Sequence, residues 1–591
     1  MKRLAWFTIL VFCVFTLSCG SNDSSTANGV SRPGEYAGYG EAIYGDEYEV
    51  TSQYVRVSDG TKLAMDLYRP KDKTTGNVID DPLPVIWMHT PYNRRHSNDK
   101  GALTVESYPG TAGRLVKYGY VVATVDFRGL YASYGHNEAF NRGEWITAAR
   151  RDAYDITEWL ASQPWSNGYI GMWGCSATGG SQLQAATTAP PHLKAIFPMS
   201  CEFDVYSFRV PGGMAPEQGT RTRAMSSQEA RDAAAVPVDA DTDRSQLNEA
   251  IAEHEGTVEN PGYAPYRDSF ADAITDQTSQ PWWIKSSPHT YLEEINASDT
   301  AMYLAANWDE GPTKHGAFFT FNNVTNPVKL IVGPEGHCGW LAVQKQTGFD
   351  ITVEERRFFD YWLKGIDNGI MDEDPVYYYT YNAPTGSEWR SASQWPLPDE
   401  KRVQYYLGDG SLSPTEPTGI DQKDEATVAY DVTPDNMTAK GLLYETTPLA
   451  ADVQITGHPA INLWVSSTAT DGDFIATIQD VAPDGTASSY NVHGRLRASL
   501  QKLQNAPYNN LGLPWHGFYQ EDVTPLVPGE PVELVFEILP ISMVVKAGHR
   551  IRLLIHFADR TTPKLDPAPK VTIHRDSTRR SFLTLPIIEV R

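Results

Sequence analysis

One stretch decides the fold of this chain, and it reads YIGMWGCSATGG from Tyr169 to Gly180. An apolar strand pattern runs into a glycine-rich turn that carries Ser176, and a helix-compatible stretch follows. A strand, a sharp turn and a helix form the local structure that presents a serine hydroxyl above a parallel sheet. Small residues at Gly174 and Gly179 let the strand and the helix approach each other. The stretch therefore predicts an α/β fold with a serine at the end of a strand.

The sequence on both sides of this turn indicates the same fold class. Short apolar runs recur between helical patterns, as in a parallel sheet that is buried on both faces. The runs lie at 85–88, 121–125, 170–173, 195–199, 302–306 and 329–332. Residues 207–296 are rich in alanine, charged residues and short polar segments, which indicates a helical cap. We predict an α/β domain over 48–206 and 297–373 that is interrupted by this cap.

Beyond residue 373 the apolar period changes to two, which is typical of half-buried strands. Ile461, Leu463 and Val465 alternate with Asn462 and Ser466 around the intervening tryptophan. Similar alternation recurs in two later stretches of this region, with turns rich in Gly, Pro and Asp between them. This pattern predicts a C-terminal β-sandwich over 374–591.

The N-terminus has the layout of an export signal. Basic residues precede an apolar run at 4–17, which is too short for a comfortable membrane span. The run ends at Cys19 in a sequence that resembles a bacterial lipobox. We predict a signal peptide at 1–18, lipidation of Cys19 and a tether at 19–47. The alternative is an ordinary cleaved signal followed by a chance cysteine.

Composition excludes several classes of protein. The chain has 591 residues, of which 41% are hydrophobic and 11% aromatic, so it can bury large cores. It carries 49 Lys+Arg against 73 Asp+Glu, a formal net charge of −24. This charge argues against nucleic acid as a partner and against adhesion of the folded body to anionic lipid. A membrane location would therefore rest on a lipid anchor at Cys19.

A serine at such a turn becomes a nucleophile only when a base removes its proton and an acid orients that base. On a sheet of this kind the chain order is Ser, Asp, His. Asp309 follows one apolar strand pattern, and His337 lies in a glycine-rich loop after the next one. Because both follow strand ends, where such sheets gather their sites, we predict a triad of Ser176, Asp309 and His337.

The negative oxygen that forms during acyl transfer needs hydrogen-bond donors. The backbone N–H of Ala177, directly after the serine, is one predicted donor. Tyr92 follows the strand at 85–88, and its hydroxyl is the second predicted donor.

Three cysteines lie close to these positions. Cys175 and Cys338 each adjoin a predicted triad residue, and Cys201 ends the strand that follows the serine turn. Buried free thiols are the favoured interpretation, and a disulfide between two of the three in an exported protein is the alternative.

Several motifs resemble those of one family, the CocE/NonD serine hydrolases. This family includes cocaine esterases, α-amino acid ester hydrolases, glutaryl acylases and Xaa-Pro dipeptidyl-peptidases. The motifs are Thr90-Pro91-Tyr92, Asp126-Phe127-Arg128-Gly129 with Ser133 and Gly135, Glu158–Gly168, Trp308-Asp309, Gly333-Pro334 with His337-Cys338-Gly339, Phe358–Gly365, Asp473-Phe474, Asp480–Gly485 and Gly548–Leu553.

The resemblance implies an α/β-hydrolase with a helical cap and a C-terminal jelly roll. It implies a serine hydrolase that cleaves ester or amide acyl groups of small molecules or short peptides through an acyl-enzyme. It also implies that Tyr92 binds the negative oxygen, and that no metal or organic cofactor is needed. One alternative is an Xaa-Pro dipeptidyl-peptidase. Another is a non-catalytic, surface-anchored carbohydrate- or peptide-binding protein.

The chain departs from the family pattern at three places. Ala177 replaces the tyrosine that usually follows the nucleophile, and Glu335 replaces a tryptophan before the histidine. In the α-amino acid ester hydrolases, acidic residues after the triad aspartate bind the substrate ammonium group. Here Gly311 and Pro312 follow Glu310, so that cluster is not reproduced. A preference for free α-amino acyl groups is therefore not expected.

Overall fold

The fold was analysed in a computed structural model of the chain. The structure describes residues 30–39, 41–97, 103–104, 111–137, 148–215, 228–255, 269–274, 279–433, 436–559 and 561–589. The predicted signal peptide and the predicted lipidation site at Cys19 lie outside these residues.

The strands of the described residues are β1 Val30–Arg32, β2 Glu35–Ala37, β3 Tyr48–Arg56, β4 Lys62–Pro70, β5 Leu83–Thr90, β6 His96–Ser97, β7 Leu103–Thr104, β8 Val121–Asp126, β9 Ser166–Cys175, β10 Leu193–Met199, β11 Ala301–Asn307, β12 Val328–Gly333, β13 Val376–Tyr379, β14 Trp389–Ala392, β15 Lys401–Leu407, β16 Leu412–Ser413, β17 Lys423–Thr427, β18 Leu442–Glu445, β19 Val453–Gly457, β20 Ala460–Ser467, β21 Asp473–Val481, β22 Ala487–Ser488, β23 His493–Arg497, β24 Val532–Glu537, β25 Ile541–Val545, β26 Arg550–His556, β27 Lys570–His574 and β28 Phe582–Ile588. The helices are α1 Thr111–Val116, α2 Asp152–Ala161, α3 Ala177–Ala186, α4 Val205–Arg209, α5 Gln228–Ala233, α6 Ser245–Glu253, α7 Trp282–Lys285, α8 Leu292–Asn296, α9 Thr313–Asn323, α10 Trp340–Thr347, α11 Ile351–Lys364 and α12 Met437–Lys440.

A ten-stranded sheet forms the centre of the α/β part, in the order β14-β13-β12-β11-β10-β9-β5-β8-β4-β3. The strands from β13 to β8 run parallel, and β14, β4 and β3 pair antiparallel at the two edges. Apolar side chains pack on both faces of this sheet. The apolar runs of the sequence fall inside β5, β8, β9, β10, β11 and β12, so the predicted buried parallel sheet is confirmed.

The described part of the predicted cap contains the helices α5 to α8, and α4 leads into it. Two antiparallel sheets of nine and five strands follow in the C-terminal third, as a β-sandwich requires. Ile461, Leu463 and Val465 on β20 are buried, as their alternation predicts. The α/β-hydrolase fold with a C-terminal β-rich domain is therefore confirmed.

Two features extend past the predicted domain boundaries, which otherwise stay predictions. β13 and β14 belong to the first sheet, although they lie beyond residue 373. β1 and β2 form a hairpin within the predicted tether, and this hairpin contacts α11 because the N–H of Gly34 donates to Glu354 at 2.8 Å. Among the described residues, no helix is both long enough and apolar enough to cross a membrane.

Candidate active site

Ser176 occupies a strained turn between β9 and α3, with φ 62° and ψ −124°. Two glycines make this turn possible, as the sequence predicts. A Cβ atom on Gly174 would lie 2.4 Å from Thr178 Oγ1, and one on Gly179 would lie 2.6 Å from the carbonyl oxygen of Met199. Non-glycine residues keep such a backbone conformation only where the surroundings enforce it, most often at functional sites. The turn therefore has the strand–serine–helix geometry that can present a serine hydroxyl as a nucleophile.

His337 lies in the loop between β12 and α10, residues 334–339, which we call the histidine loop. It contacts a buried carboxylate. Its Nδ1 is 3.0 Å from Glu310 Oε2. The Glu310 side chain is fully buried, whereas 39% of the His337 side chain is exposed. The second oxygen of Glu310 accepts the backbone N–H of Asn307 at 2.9 Å. Both oxygens of the acid therefore have donors, and its position toward the imidazole is set.

The acid that contacts His337 is Glu310, and not the predicted Asp309. Asp309 is exposed. β11 ends at Asn307, directly before Trp308. Trp308 turns into the interior, where its Nε1 donates to the carbonyl oxygen of Tyr379 at 2.6 Å. That turn directs the next side chain outward and the one after it toward the histidine loop.

A disulfide joins Cys175 to Cys338, and Cys201 is buried and lies outside this disulfide. The favoured expectation of three free thiols was therefore wrong, and the alternative of one pair near the site was right. Cys175 directly precedes Ser176, and Cys338 directly follows His337. The two Cα atoms are 6.0 Å apart, so the disulfide brings the two predicted triad residues close together.

The two predicted oxyanion donors lie at the ends of neighbouring strands. Ala177 is the first residue of α3, and the first N–H groups of a helix have no acceptor within the helix. Tyr92 follows β5, which pairs parallel with β9 through Trp87 and Met172. Tyr92 lies two residues beyond the end of β5 and is half-buried.

The loop that carries Tyr92 is held by a buried charge network that the sequence reasoning missed. Arg94 is 3.0 Å from both Asp66 and Asp126, and all three side chains are fully buried. Burial raises the pKa of Asp126 to about 6, although Arg94 opposes that shift. Ser133 donates to the carbonyl oxygen of Asp126 at 2.9 Å. The motif Asp126-Phe127-Arg128-Gly129 with Ser133 and Gly135 therefore supports the site through packing and ion pairs.

Lys314 on α9 is a second group that the sequence reasoning missed. It is fully buried, and its Nζ donates to the carbonyl oxygens of Trp308 at 2.6 Å and Asn491 at 3.1 Å. Burial lowers the pKa of Lys314 to about 7, while Glu310 and Asp309 favour the charged form. Residues 308–312, between β11 and α9, carry Glu310 and are called the acid loop here. Asn491 belongs to the β-sandwich, so the amine of Lys314 connects the acid loop to the C-terminal domain.

A cavity of about 90 Å³ lies between the α/β part and the sandwich. It is lined in part by Pro312 and His315, which follow Glu310 closely, and His315 Nδ1 is 3.4 Å from Glu537. Most of its wall is apolar or aromatic. The aromatic residues of the wall are Phe203, Phe208, Phe319, Tyr508, Trp515, Phe518 and Phe536.

Comparison with known families agrees with this architecture. Residues 59–339 match the X-Pro dipeptidyl-peptidase (S15) family, and residues 368–580 match the X-Pro dipeptidyl-peptidase C-terminal non-catalytic domain. A Mycobacterium bovis protein named as a serine esterase is 31% identical over 91% of this chain and 95% of its own length. The cocaine esterase of a Rhodococcus species is 27% identical over 92% of this chain and 99% of its own length.

Solved structures share the fold. A CocE/NonD family hydrolase from Staphylococcus aureus superposes with a TM-score of 0.71 at 22% identity, over 91% of this chain and 93% of its own. An α-amino acid ester hydrolase superposes with a TM-score of 0.67 at 18% identity, over 97% of this chain and the whole of its own. Sequence, architecture and similarity agree, and the chain belongs to the CocE/NonD (S15) family of serine hydrolases.

Proposed function

We propose that this hydrolase cleaves ester or amide acyl groups through a covalent acyl-enzyme, with Ser176 as the nucleophile. Ser176 Oγ attacks the acyl carbon while His337 accepts the hydroxyl proton. The imidazolium then protonates the leaving group as the bond to the acyl carbon breaks. Water, activated by the same imidazole, releases the acyl group as an acid and restores the serine.

The contact between His337 and Glu310 carries this proposal. A carboxylate on Nδ1 holds that nitrogen in its protonated form and leaves Nε2 as the proton acceptor toward the serine. The negative charge of the carboxylate also stabilises the imidazolium that forms. Glu310 therefore replaces Asp309 as the third member of the proposed triad.

The proposed oxyanion site consists of the Ala177 N–H and the Tyr92 hydroxyl, which support the developing negative charge on the acyl oxygen. The cavity beside α9 is the proposed substrate pocket, because Pro312, two residues after Glu310, forms part of its wall. Its aromatic wall favours substrates with an apolar acyl or leaving group.

The decisive experiment is labelling and substitution of the nucleophile. A fluorophosphonate is expected to modify Ser176, and Ser176→Ala is expected to abolish both labelling and hydrolysis of p-nitrophenyl esters. Ser387→Ala is the matched control, because Ser387 lies in an exposed turn of the chain. Full activity of Ser176→Ala, or labelling of another residue, would overturn the mechanism.

The match to the X-Pro dipeptidyl-peptidase family favours one second candidate, which is release of dipeptides that end in proline. Relatives from Bacillus cereus and Bacillus anthracis are named as Xaa-Pro dipeptidyl-peptidases, at 23% and 24% identity. The two activities share the nucleophile and differ in the group that the pocket accepts. A comparison of kcat/KM for aminoacyl esters, glutaryl amides and dipeptidyl-proline amides separates them.

A further inference from the structure

The Cys175–Cys338 disulfide links two segments that lie 163 residues apart in the chain. One partner is the last residue of β9 and is fully buried. The other lies in the histidine loop and is half-buried. Each cysteine is the direct neighbour of one member of the proposed Ser176–His337 pair, so the covalent bond joins the two segments that carry them.

Backbone contacts hold the start of the histidine loop, and the His337 side chain contacts Glu310 at 3.0 Å. The carbonyl oxygen of Glu335 accepts the N–H of Asp309 at 3.0 Å, and the carbonyl oxygen of Pro334 accepts the Tyr381 hydroxyl. At the far end, the N–H of Cys338 donates to Ser200 Oγ over 3.4 Å, a long hydrogen bond. The disulfide is the covalent link between the end of this loop and the strand that precedes the serine.

The backbone at the end of the loop has an unfavourable conformation that its surroundings must stabilise. Cys338 has φ 57°, in the left-handed region that costs free energy for a residue with a side chain. A conformation of this kind persists when its surroundings hold it in place. Once the sulfur–sulfur bond is broken, the loop can relax toward an ordinary conformation and carry His337 away from the serine.

We infer that the Cys175–Cys338 disulfide is a positioning device for His337, so that turnover is lost when the disulfide is reduced. This inference rests on the proposed function of Ser176 and His337. Neither cysteine lines the proposed substrate pocket, so the two cysteines act through the residues beside them. A displacement of about 1 Å at such a site can cost roughly 10²-fold in rate, which sets the size of the expected effect.

Reduction is expected to begin at Cys338, because its partner Cys175 is fully buried. A thiolate of dithiothreitol attacks Cys338 Sγ, and Cys175 leaves as a thiolate that takes a proton from water. The second thiol of the reagent then displaces Cys338 and closes a cyclic disulfide. Two electrons and two protons pass in total from dithiothreitol to the two cysteines.

The test compares kcat and KM of the full chain before and after dithiothreitol treatment without denaturant, with a p-nitrophenyl ester as substrate. Alkylation with iodoacetamide and peptide mass spectrometry establish that Cys175 and Cys338 are reduced. We expect kcat and the rate of fluorophosphonate labelling to fall together by roughly 10²-fold, with KM nearly unchanged. Reoxidation with oxidised glutathione is expected to restore both rates.

Two variants complete the test. Cys175→Ala/Cys338→Ala is expected to have the low kcat of the reduced enzyme and no response to dithiothreitol. Cys201→Ala is the matched control, since it removes a buried thiol outside the pair and should keep the full response. Unchanged kcat in an enzyme with both cysteines alkylated would overturn the inference. Loss of kcat only in parallel with loss of near-ultraviolet circular dichroism would also overturn it, because the disulfide would then support the fold alone.

Failure of this inference is distinguishable from failure of the proposed function. If Ser176→Ala is inactive and reduction leaves kcat unchanged, the inference about the disulfide is wrong and the mechanism stands. If Ser176→Ala keeps its activity, the proposed function is wrong whatever reduction does.

Discussion

Glu310 and Asp309 are adjacent in the chain, and only Glu310 contacts the histidine. Replacing the buried carboxylate by an amide removes the charge that stabilises the imidazolium and can hold the wrong tautomer. We expect Glu310→Gln to lower kcat for p-nitrophenyl esters by roughly 10⁴-fold. Asp309→Asn is the matched control and is expected to keep kcat within a few-fold of the wild type. The opposite ranking of the two variants would return the role to Asp309.

Tyr92 offers a second comparison at the residue scale. Phenylalanine keeps the ring and removes the hydroxyl, so Tyr92→Phe is expected to lower kcat by about 10²–10³-fold if that hydroxyl binds the developing oxyanion. Tyr169→Phe is the control, because 48% of Tyr169 is exposed on β9. Esterase kinetics with both variants measure the difference, and a wild-type rate for Tyr92→Phe would exclude the assignment.

At this scale the sequence predicted the neighbourhood of the site better than its individual acid. The turn at Ser176 is indicated by the glycines around it, because a side chain at Gly174 or Gly179 would clash with its neighbours. Asp309 and Glu310 both follow the same strand, and the pattern along the chain does not distinguish which of them faces the histidine loop. The packing of Trp308 before them includes a tertiary contact with Tyr379 that no local pattern contains.

At the scale of elements, α9 places a buried amine under the acid loop, and this makes a pH dependence measurable. The pKa of Lys314 is lowered to about 7 in the folded chain from its ordinary value of 10.5. Between these values the unfolded chain holds a proton that the folded chain lacks, so this group makes stability rise with pH from about 7 to about 10.5. The rise is absent below that window, where both states are protonated.

Thermal unfolding of Lys314→Met at several pH values tests this dependence. The variant leaves two carbonyl oxygens without their donor, so a lower midpoint is expected at every pH. The difference between wild type and variant is expected to grow from pH 7 to pH 9.5, since only the wild type gains stability from the lysine. Lys345→Met, at an exposed position on α10, is the control and should show no such growth. A constant difference would contradict the assignment.

The elements themselves follow from the sequence where the periodicity is strong. β9, α3 and β20 lie where the apolar runs and the alternation predict them, because burial on one or two faces determines both patterns. The disulfide could not be predicted in the same way. Pairing depends on the distance between Cys175 and Cys338 across the sheet end, and spacing along the chain does not contain that distance.

At the scale of the whole molecule, we propose that the chain is exported and anchored to a membrane by lipid on Cys19. The acidic composition gives no basic surface for lipid headgroups, so the anchor would carry the attachment. Cys19→Ser is expected to move the protein from the membrane fraction to the soluble fraction of the producing cells. Fractionation with an immunoblot measures this, and unchanged partitioning would contradict the proposal.

The domain order was readable from composition and period, while the edges of the domains were not. β13 and β14 extend the first sheet into the stretch assigned to the sandwich, because strand pairing continues after the change in pattern. The hairpin of β1 and β2 lies within the predicted tether and contacts α11. Short segments of this kind gain their structure from the surface on which they pack.

The hydrogen bond from Lys314 to the carbonyl oxygen of Asn491 has a consequence for how such proteins can be recombined. The C-terminal region matches a domain described as non-catalytic, yet it supplies an acceptor for the amine beneath the acid loop. A hydrolase half fused to the sandwich of a distant relative would need a backbone oxygen at that same point. A chimera of two family members therefore keeps this contact only where the backbone of the second domain reaches the same point.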